Sequence, residues 1–151
     1  MRTICIFVVL VCVSPLMSRA QTAPQTAVDS VKAVVNALFT GMKTGDSALL
    51  RSCFDDDAIL QTIARNKEGK TIVRQDKVAD FAAQVVKLPK GAADERIQFE
   101  TVKIDGAMAI AWTPYQFYYN GQYSHQGVNM FQLVNYDGTW KIHFLIDTRR
   151  K

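Results

Sequence analysis

His125 is the side chain of this sequence best suited to acid–base chemistry, because an imidazole titrates near neutral pH. In a cavity it could act as a general acid or base, or donate a hydrogen bond to a ligand. The alternative is a structural histidine that is bonded to a neighbouring strand or helix. His125 is therefore the candidate catalytic residue, and the strands predicted below give it five candidate ligand-binding neighbours: Gln116, Tyr118, Tyr123, Asn129 and Thr148.

Three aromatic residues, Trp112, Tyr118 and Tyr123, could stack on a flat ligand. Aromatic side chains on the concave side of a sheet belong to a hydrophobic core more often than not. Trp112 joins the candidate ligand-binding residues, and the choice between contact with a ligand and core packing stays open.

A second polar group combines Arg96, Tyr115, Asp147 and Arg149, which we expect to be neighbours on the opposite face of the sheet. Guanidinium groups bind carboxylates and other anions in a fixed geometry. This group could capture an anion at the rim of a cavity, contribute to a dimer interface, or form structural ion pairs.

The remaining reactive residues point to structural roles. His143 is predicted on the face opposite His125, so the two histidines make a poor metal site, and we expect neither metal nor cofactor. Asp55, Asp56 and Asp57 lack the spacing of a calcium loop and are typical of a solvated turn. Cys53, on the apolar side of a predicted helix, is expected to be a buried, inert thiol.

The elements that must position these residues are clearest after Glu95, where four β-rich runs are separated by Asp105-Gly106, Asn120-Gly121 and Asp137-Gly138. Each dipeptide is typical of a two-residue type I′ hairpin. The C-terminal half is therefore predicted to form four long antiparallel strands joined in sequence.

If all three turns have two residues, the register of the strands follows, because the residues that flank each turn must pair. The expected concave face carries Ile97, Phe99, Met108, Ile110, Trp112, Phe131, Leu133, Ile142, Phe144 and Ile146, with the His125 group at its polar end. The convex face then carries the Arg96 group together with Ala109, Ala111, Met130 and Leu145. Apolar residues on an outer face suggest that another surface covers it, and we expect a homodimer through this face.

Three amphipathic helices are predicted before the sheet. Apolar residues recur at helical spacing from Val31 to Met42 after a Thr26 N-cap, Asp46 caps a short second helix, and Asp76 caps a third. The predicted fold class is α+β, with the three helices packed in the concave side of a curved, mainly antiparallel sheet.

The N-terminus predicts export. Residues 1–20 combine Arg2, an apolar run and a small-residue exit at Ala20, which is typical of a cleaved signal peptide. Residues 21–27 are expected to be a flexible lead-in and residues 28–151 a single domain, periplasmic or secreted, without a membrane anchor. Cleavage leaves sixteen basic and fourteen acidic side chains, a net charge of +2, which gives no indication of nucleic-acid binding.

Several strings in the C-terminal half resemble a known superfamily: DERIQFETVKIDG, AWTPYQFYYNG, YSHQGVNMFQLV and GTWKIHFLIDTRR. With three helices before the sheet, the chain resembles the nuclear transport factor 2-like superfamily, and within it the bacterial putative lumazine-binding subgroup. The resemblance covers Val28 to Arg150. It implies a cone-shaped, cystatin-like α+β fold and a small apolar or heteroaromatic ligand, and it leaves the reaction open.

The resemblance also allows a comparison with ketosteroid isomerases, which use an aspartate base with a tyrosine and a protonated aspartate in an apolar pocket. The expected register places Asp147 outside the cavity, so this set is not matched unless a bulge turns Asp147 inward. The leading hypothesis is an exported small-molecule-binding protein. The alternatives are an isomerase, cyclase or dehydratase with His125 as acid/base, and a non-catalytic dimeric interaction module.

Overall fold

The computed structural model describes residues 24–151, so the predicted signal peptide and residues 21–23 of the lead-in lie outside the described residues, while residues 25–27 of the lead-in belong to the first helix. The helices are α1 (Gln25–Thr44), α2 (Ser47–Ser52) and α3 (Val78–Val85). The strands are β1 (Phe54–Arg65), β2 (Thr71–Asp76), β3 (Ala93–Ile97), β4 (Thr101–Asp105), β5 (Met108–Tyr119), β6 (Gln122–Tyr136) and β7 (Thr139–Arg150). Within this range no helix has both the length and the apolar character needed to cross a membrane.

The three predicted helices are present, with small differences at their ends. The first begins one residue before Thr26, directly after Pro24, and Gly45 ends it in the left-handed conformation that favours glycine. Asp46 caps α2 as predicted, since its carboxylate accepts a hydrogen bond of 2.9 Å from the Leu49 amide. Asp76 instead ends β2, and α3 starts after Lys77.

The strands form one sheet in the order β2-β1-β7-β6-β5-β3, and β4 also pairs with β5. All pairs are antiparallel except β1 with β7, which run parallel. The predicted C-terminal meander is present, although residues 98–100 divide its first run into β3 and β4. The α+β prediction, with helices packed on the inner side of a curved sheet, is confirmed.

Two of the three predicted turns have the expected geometry. Asn120-Gly121 and Asp137-Gly138 all have positive φ angles, as a type I′ turn requires. In the first hairpin the loop is Gly106-Ala107, because Asp105 pairs directly with Met108.

Two β-bulges change the register that the turns alone predict. In β6, Tyr123 pairs with Tyr118 but His125 pairs with Phe117, so Ser124 is an extra residue. In β7, Ile142 and Phe144 pair with successive residues of β6, so His143 is an extra residue. Because side chains alternate between the two faces of a strand, each extra residue reverses the face on which the following residues lie.

The inner face therefore differs from the predicted one. Ile97, Phe99, Phe131, Leu133 and Ile142 pack in the core as predicted. Met108, Ile110 and Trp112 were expected there but are 46%, 37% and 44% exposed on the outer face. Phe144 and Ile146 lie opposite Gln132 and Met130 on that same outer face. The inner positions are taken by Asn129, as predicted, by Thr113, and by four residues whose predicted place on the convex face is wrong: Ala109, Ala111, Tyr115 and Leu145.

Thr113 is fully buried on this inner face, and among the described residues its hydroxyl has no hydrogen-bond partner. We expect Thr113→Val, which keeps the shape and removes the unsatisfied group, to raise the free energy of unfolding by about 1 kcal/mol in urea denaturation. The control is Thr62→Val, because Thr62 is also buried but its hydroxyl bonds to Asp147. Thr62→Val should be destabilised. Equal losses of stability in the two variants would contradict the description of the Thr113 hydroxyl as an unsatisfied group.

Candidate functional site

A cavity of about 520 Å³ lies between α1, α3 and the inner face of the sheet. Its apolar wall comes mainly from the helices, with Leu38, Phe39, Met42, Leu60, Phe81, Val85, Leu88, Phe117 and Leu145. Its polar wall comes mainly from the strands, with Gln61, Thr62, Arg74, Asp76, Glu95, Tyr115, His125, Asn129, Asp147 and Arg149. An apolar cleft of this size with a few convergent polar groups is the usual form of a small-molecule site.

Asp147 is the most highly bonded group of the polar wall. Its Oδ1 accepts a hydrogen bond of 2.5 Å from the Thr62 hydroxyl, and its Oδ2 lies 3.0 Å from Arg149 Nε. The Tyr115 hydroxyl lies 3.3 Å from the same Oδ2 and donates to the Thr148 carbonyl at 2.9 Å. Asp147 therefore serves first as a structural anchor that joins β1, β5 and β7.

Gly127 allows Tyr115 to reach across β6. A Cβ atom at position 127 would lie 1.8 Å from the Thr148 carbonyl oxygen and 2.7 Å from Tyr115 Cε1, which no side chain can tolerate. Burial, followed by the charges of Asp147 and Glu95, raises the pKa of Tyr115 far above its usual range. Tyr115 thus stays protonated and closes one side of the cavity.

Glu95 is the carboxyl group of the polar wall with the weakest local support. Asn129 Nδ2 donates a hydrogen bond of 2.7 Å to Glu95 Oε1, and no cationic side chain among residues 24–151 forms an ion pair with it. Burial raises the pKa of Glu95 to about 7, an effect that Asn129 and Arg149 oppose and Asp147 reinforces. Near neutral pH this carboxyl group can therefore both accept and release a proton.

His125 faces the cavity from β6, next to the bulge. Its ring packs against Phe117 and Tyr115, at centroid distances of 5.0 and 5.8 Å, and its Nδ1 lies 3.1 Å from the Ser124 hydroxyl. Burial and the nearby positive charge of Arg149 lower its pKa. His125 is therefore a neutral imidazole at pH 7 that a ligand can reach.

Of the residues predicted for the cavity, His125 and Asn129 line it. Tyr115, Asp147 and Arg149 were predicted on the convex face, and this placement is wrong: all three line the cavity. The His143 bulge turns Asp147 and Arg149 inward, as a bulge in this strand allows.

The other predicted ligand-binding residues lie outside the cavity. Trp112, Gln116 and Tyr123 are exposed, and Tyr118 packs against Tyr123 at a centroid distance of 5.9 Å. Thr148 uses its hydroxyl to accept a hydrogen bond from the Val128 amide. The uninterrupted register would have placed these side chains on the same face as His125. The bulges at Ser124 and His143 change that register, and the side chains therefore lie elsewhere.

Arg96 is separated from the rest of its predicted cluster. It lies on the outer face opposite Gln116, forms an ion pair of 3.0 Å with Asp94, and stacks 3.9 Å above the centre of the Tyr118 ring. Of the three readings of this cluster, the structural ion pair is the one that Arg96 matches.

Glu95 is the main cavity residue that the sequence interpretation missed, and Gln61, Thr62 and Arg74, which line the same cavity, were missed as well. The sequence contains a signal for Glu95. Glu95, Ile97 and Phe99 are spaced by two residues, so a strand that directs Ile97 and Phe99 inward must also direct Glu95 inward. Thr62 and Arg74 carry no comparable signal, because β1 and β2 meet the C-terminal strands only in the folded sheet.

Asp55 and His143 meet on the outside of the sheet. The Asp55 carboxylate lies 2.9 Å from His143 Nδ1 and accepts a hydrogen bond of 3.1 Å from the Tyr136 hydroxyl. This contact holds the extra residue of β7, so both side chains have a structural role away from the cavity. Cys53 is buried as predicted, and burial raises the pKa of its thiol.

The fold agrees with comparisons with known proteins. The putative lumazine-binding family matches residues 26–143, so the chain belongs to this family. No curated protein matches the chain.

Solved structures of similar fold come from several bacteria. A nuclear transport factor 2-like protein of unknown function from Shewanella baltica is 14% identical with a TM-score of 0.69, covering 87% of this chain and 99% of its own. One from Methylobacillus flagellatus is 18% identical with a TM-score of 0.66, covering 85% and 96%. A domain with a cystatin-like fold from Nostoc punctiforme is 16% identical with a TM-score of 0.67, covering 85% and 80%. At these identities the similarity establishes the nuclear transport factor 2-like fold.

The raised pKa of Glu95 predicts a pH-dependent stability. The folded protein keeps a proton that the unfolded chain releases above its ordinary pKa of 4.5, so the free energy of unfolding should fall as the pH rises from about 4.5 to about 7. The full effect is on the order of 3 kcal/mol. Urea denaturation between pH 5 and pH 8 should show this fall in the wild type, and a much flatter profile in Glu95→Gln, which keeps the bond to Asn129. Glu100→Gln, at an exposed position, should follow the wild type, and an unchanged slope in Glu95→Gln would contradict the prediction.

Proposed function

We propose that this protein binds a small molecule with an aromatic or heteroaromatic body in the cavity beneath α1 and α3. The observation that carries the proposal is the open volume of about 520 Å³, which has apolar walls and ends at Glu95, His125, Asn129 and Arg149. A hydrophobic core without a ligand would normally close such a space, because protein interiors are packed at high density.

The walls favour a flat, apolar ligand body. Phe39, Phe81 and Phe117 line the space, together with Leu60 and Leu145. Membership of the putative lumazine-binding family supports a bicyclic heterocycle as a first probe. These inner residues take the stacking role that the sequence suggested for Trp112, Tyr118 and Tyr123.

The second candidate function is an acid–base enzyme of the isomerase, cyclase or dehydratase type. Glu95 favours it, because a carboxyl group with a pKa of about 7 in an apolar cavity suits proton transfer at neutral pH. His125 lines the same cavity as a neutral imidazole and could act as its partner.

Titration with lumazine and with quinoline tests the binding proposal. We expect saturable binding at one site per chain by fluorescence or calorimetry, and a loss of more than about tenfold in Leu145→Trp, which fills the cavity. Tyr123→Ala is the matched control, because it removes an exposed aromatic ring outside the cavity and should bind like the wild type. Equal binding by Leu145→Trp, or no binding of either probe to the wild type, would contradict the proposal. Mass spectrometry of the recovered probe separates binding, which leaves it unchanged, from catalysis.

We also propose that the outer face of the sheet forms a homodimer interface, which would serve the cavity protein and the dimeric interaction module alike. Met108, Ile110 and Trp112 are exposed side by side on β5, and Trp112 lies next to Met130 and Ile146 across three strands. A continuous apolar surface of this kind supports association with a second copy, since a twofold axis covers the same surface on both chains.

Sedimentation equilibrium tests the dimer. The wild type should have twice the mass of the chain at micromolar concentration, and Trp112→Glu should reduce it to a monomer by placing an unpaired charge in the interface. Val73→Glu, at an exposed apolar position on the edge strand β2 and outside the surface formed by β5, β6 and β7, should remain dimeric. A monomeric wild type would rule out this interface.

A further inference from the structure

The charges that line the cavity do not cancel. Asp147 is neutralised by Arg149, whose Nε lies 3.0 Å from its carboxylate. Arg74 and Asp76, both exposed on β2, contribute one charge of each sign at the rim. Glu95 remains, and no cationic side chain in the described range 24–151 forms an ion pair with it.

The surroundings of Glu95 stabilise its ionised form only partly. Asn129 donates one hydrogen bond to Oε1, but an amide cannot balance a negative charge. Tyr115 cannot supply a second bond, because its proton is directed to the Thr148 carbonyl. Since Glu95 lines the cavity, a ligand can reach the part of the carboxyl group that the protein leaves without a partner.

We propose that the polar end of the cavity recognises a protonated nitrogen group of its ligand, of the amidine or amine class, with Glu95 as the counter-charge and Asn129 holding the carboxylate in place. This inference rests on the proposed binding function and adds the charge of the ligand. An anionic ligand would meet Glu95 unbalanced, whereas a cation would complete an ion pair in a partly buried site, where such pairs are strong.

Binding should depend on pH in a defined direction. A cation favours ionised Glu95, so its affinity should rise between pH 5.5 and pH 8 as the carboxyl group loses its proton. Protonation of His125, whose pKa is lowered by burial and by Arg149, would also repel a cation as the pH falls, so a second variant must separate the two residues. The charged and titratable groups that face Glu95 across the cavity are Arg74, Asp76, Tyr115, His125, Asp147 and Arg149.

A matched series of three bicyclic probes tests the proposal: 2-naphthamidine, 2-naphthamide and 2-naphthoate, which share one apolar body and carry a positive, no and a negative charge. For the wild type at pH 8 we expect 2-naphthamidine to bind about tenfold more tightly than 2-naphthamide, and 2-naphthoate to bind most weakly. The affinity for 2-naphthamidine should fall about tenfold at pH 5.5.

Variants assign the effect to Glu95. In Glu95→Gln the preference for 2-naphthamidine and most of its pH dependence should disappear, while 2-naphthamide still binds. His125→Gln should keep the preference, because it leaves the counter-charge in place. A wild type that binds all three probes equally, or 2-naphthoate most tightly, would overturn this inference and leave the binding function standing. A wild type that binds none of them, nor lumazine or quinoline, would overturn both.

Discussion

Two extra residues, Ser124 in β6 and His143 in β7, determine which side chains face the cavity. In a strand the side chains alternate strictly, so one inserted residue reverses the face of everything beyond it. The first bulge aligns His125, Asn129 and Phe131 with Phe117, Thr113 and Ala111. The second turns Leu145, Asp147 and Arg149 inward. Without these two residues Trp112 would face the helices and Asp147 would face solvent.

The site and its support are connected through the sheet. Asp55 bonds to His143 on the outer side, at the point where the pairing of β1 with β7 is interrupted between Phe54 and Ile59. Beyond this interruption Thr62 lies beside Asp147 and bonds to it. The same irregular region therefore anchors the bulge and supplies a partner for the carboxylate that the bulge turns inward. Apolar packing of α1 against Phe131 and Ile142 stabilises this arrangement from the inside.

Glu95 and Asp147 are two carboxyl groups on the same wall of the cavity, and they have different hydrogen-bond partners. Asp147 has the Arg149 guanidinium and the Thr62 hydroxyl within hydrogen-bond distance, whereas the partner of Glu95 among the described residues is the Asn129 amide. Burying a carboxylate without a cation is unfavourable, so Glu95 holds its proton to about pH 7. Because Glu95 lines the cavity, its protonation state depends on the ligand that occupies the cavity. The fold, shared with proteins of unknown function, does not by itself provide this property.

The sequence by itself determined the elements and the fold class, because these follow from local signals: helical spacing from Val31 to Met42, and the dipeptides Asn120-Gly121 and Asp137-Gly138. It also placed His125 and Asn129 correctly. The tertiary structure alone decided the inner positions of Tyr115 and Asp147 and the outer position of Trp112. A bulge has no distinctive sequence, since its position depends on which of two registers buries more apolar surface beneath the helices and satisfies more polar groups. That choice involves contacts between residues far apart in the chain, such as Asp55 with His143 and Thr62 with Asp147, which no local pattern contains.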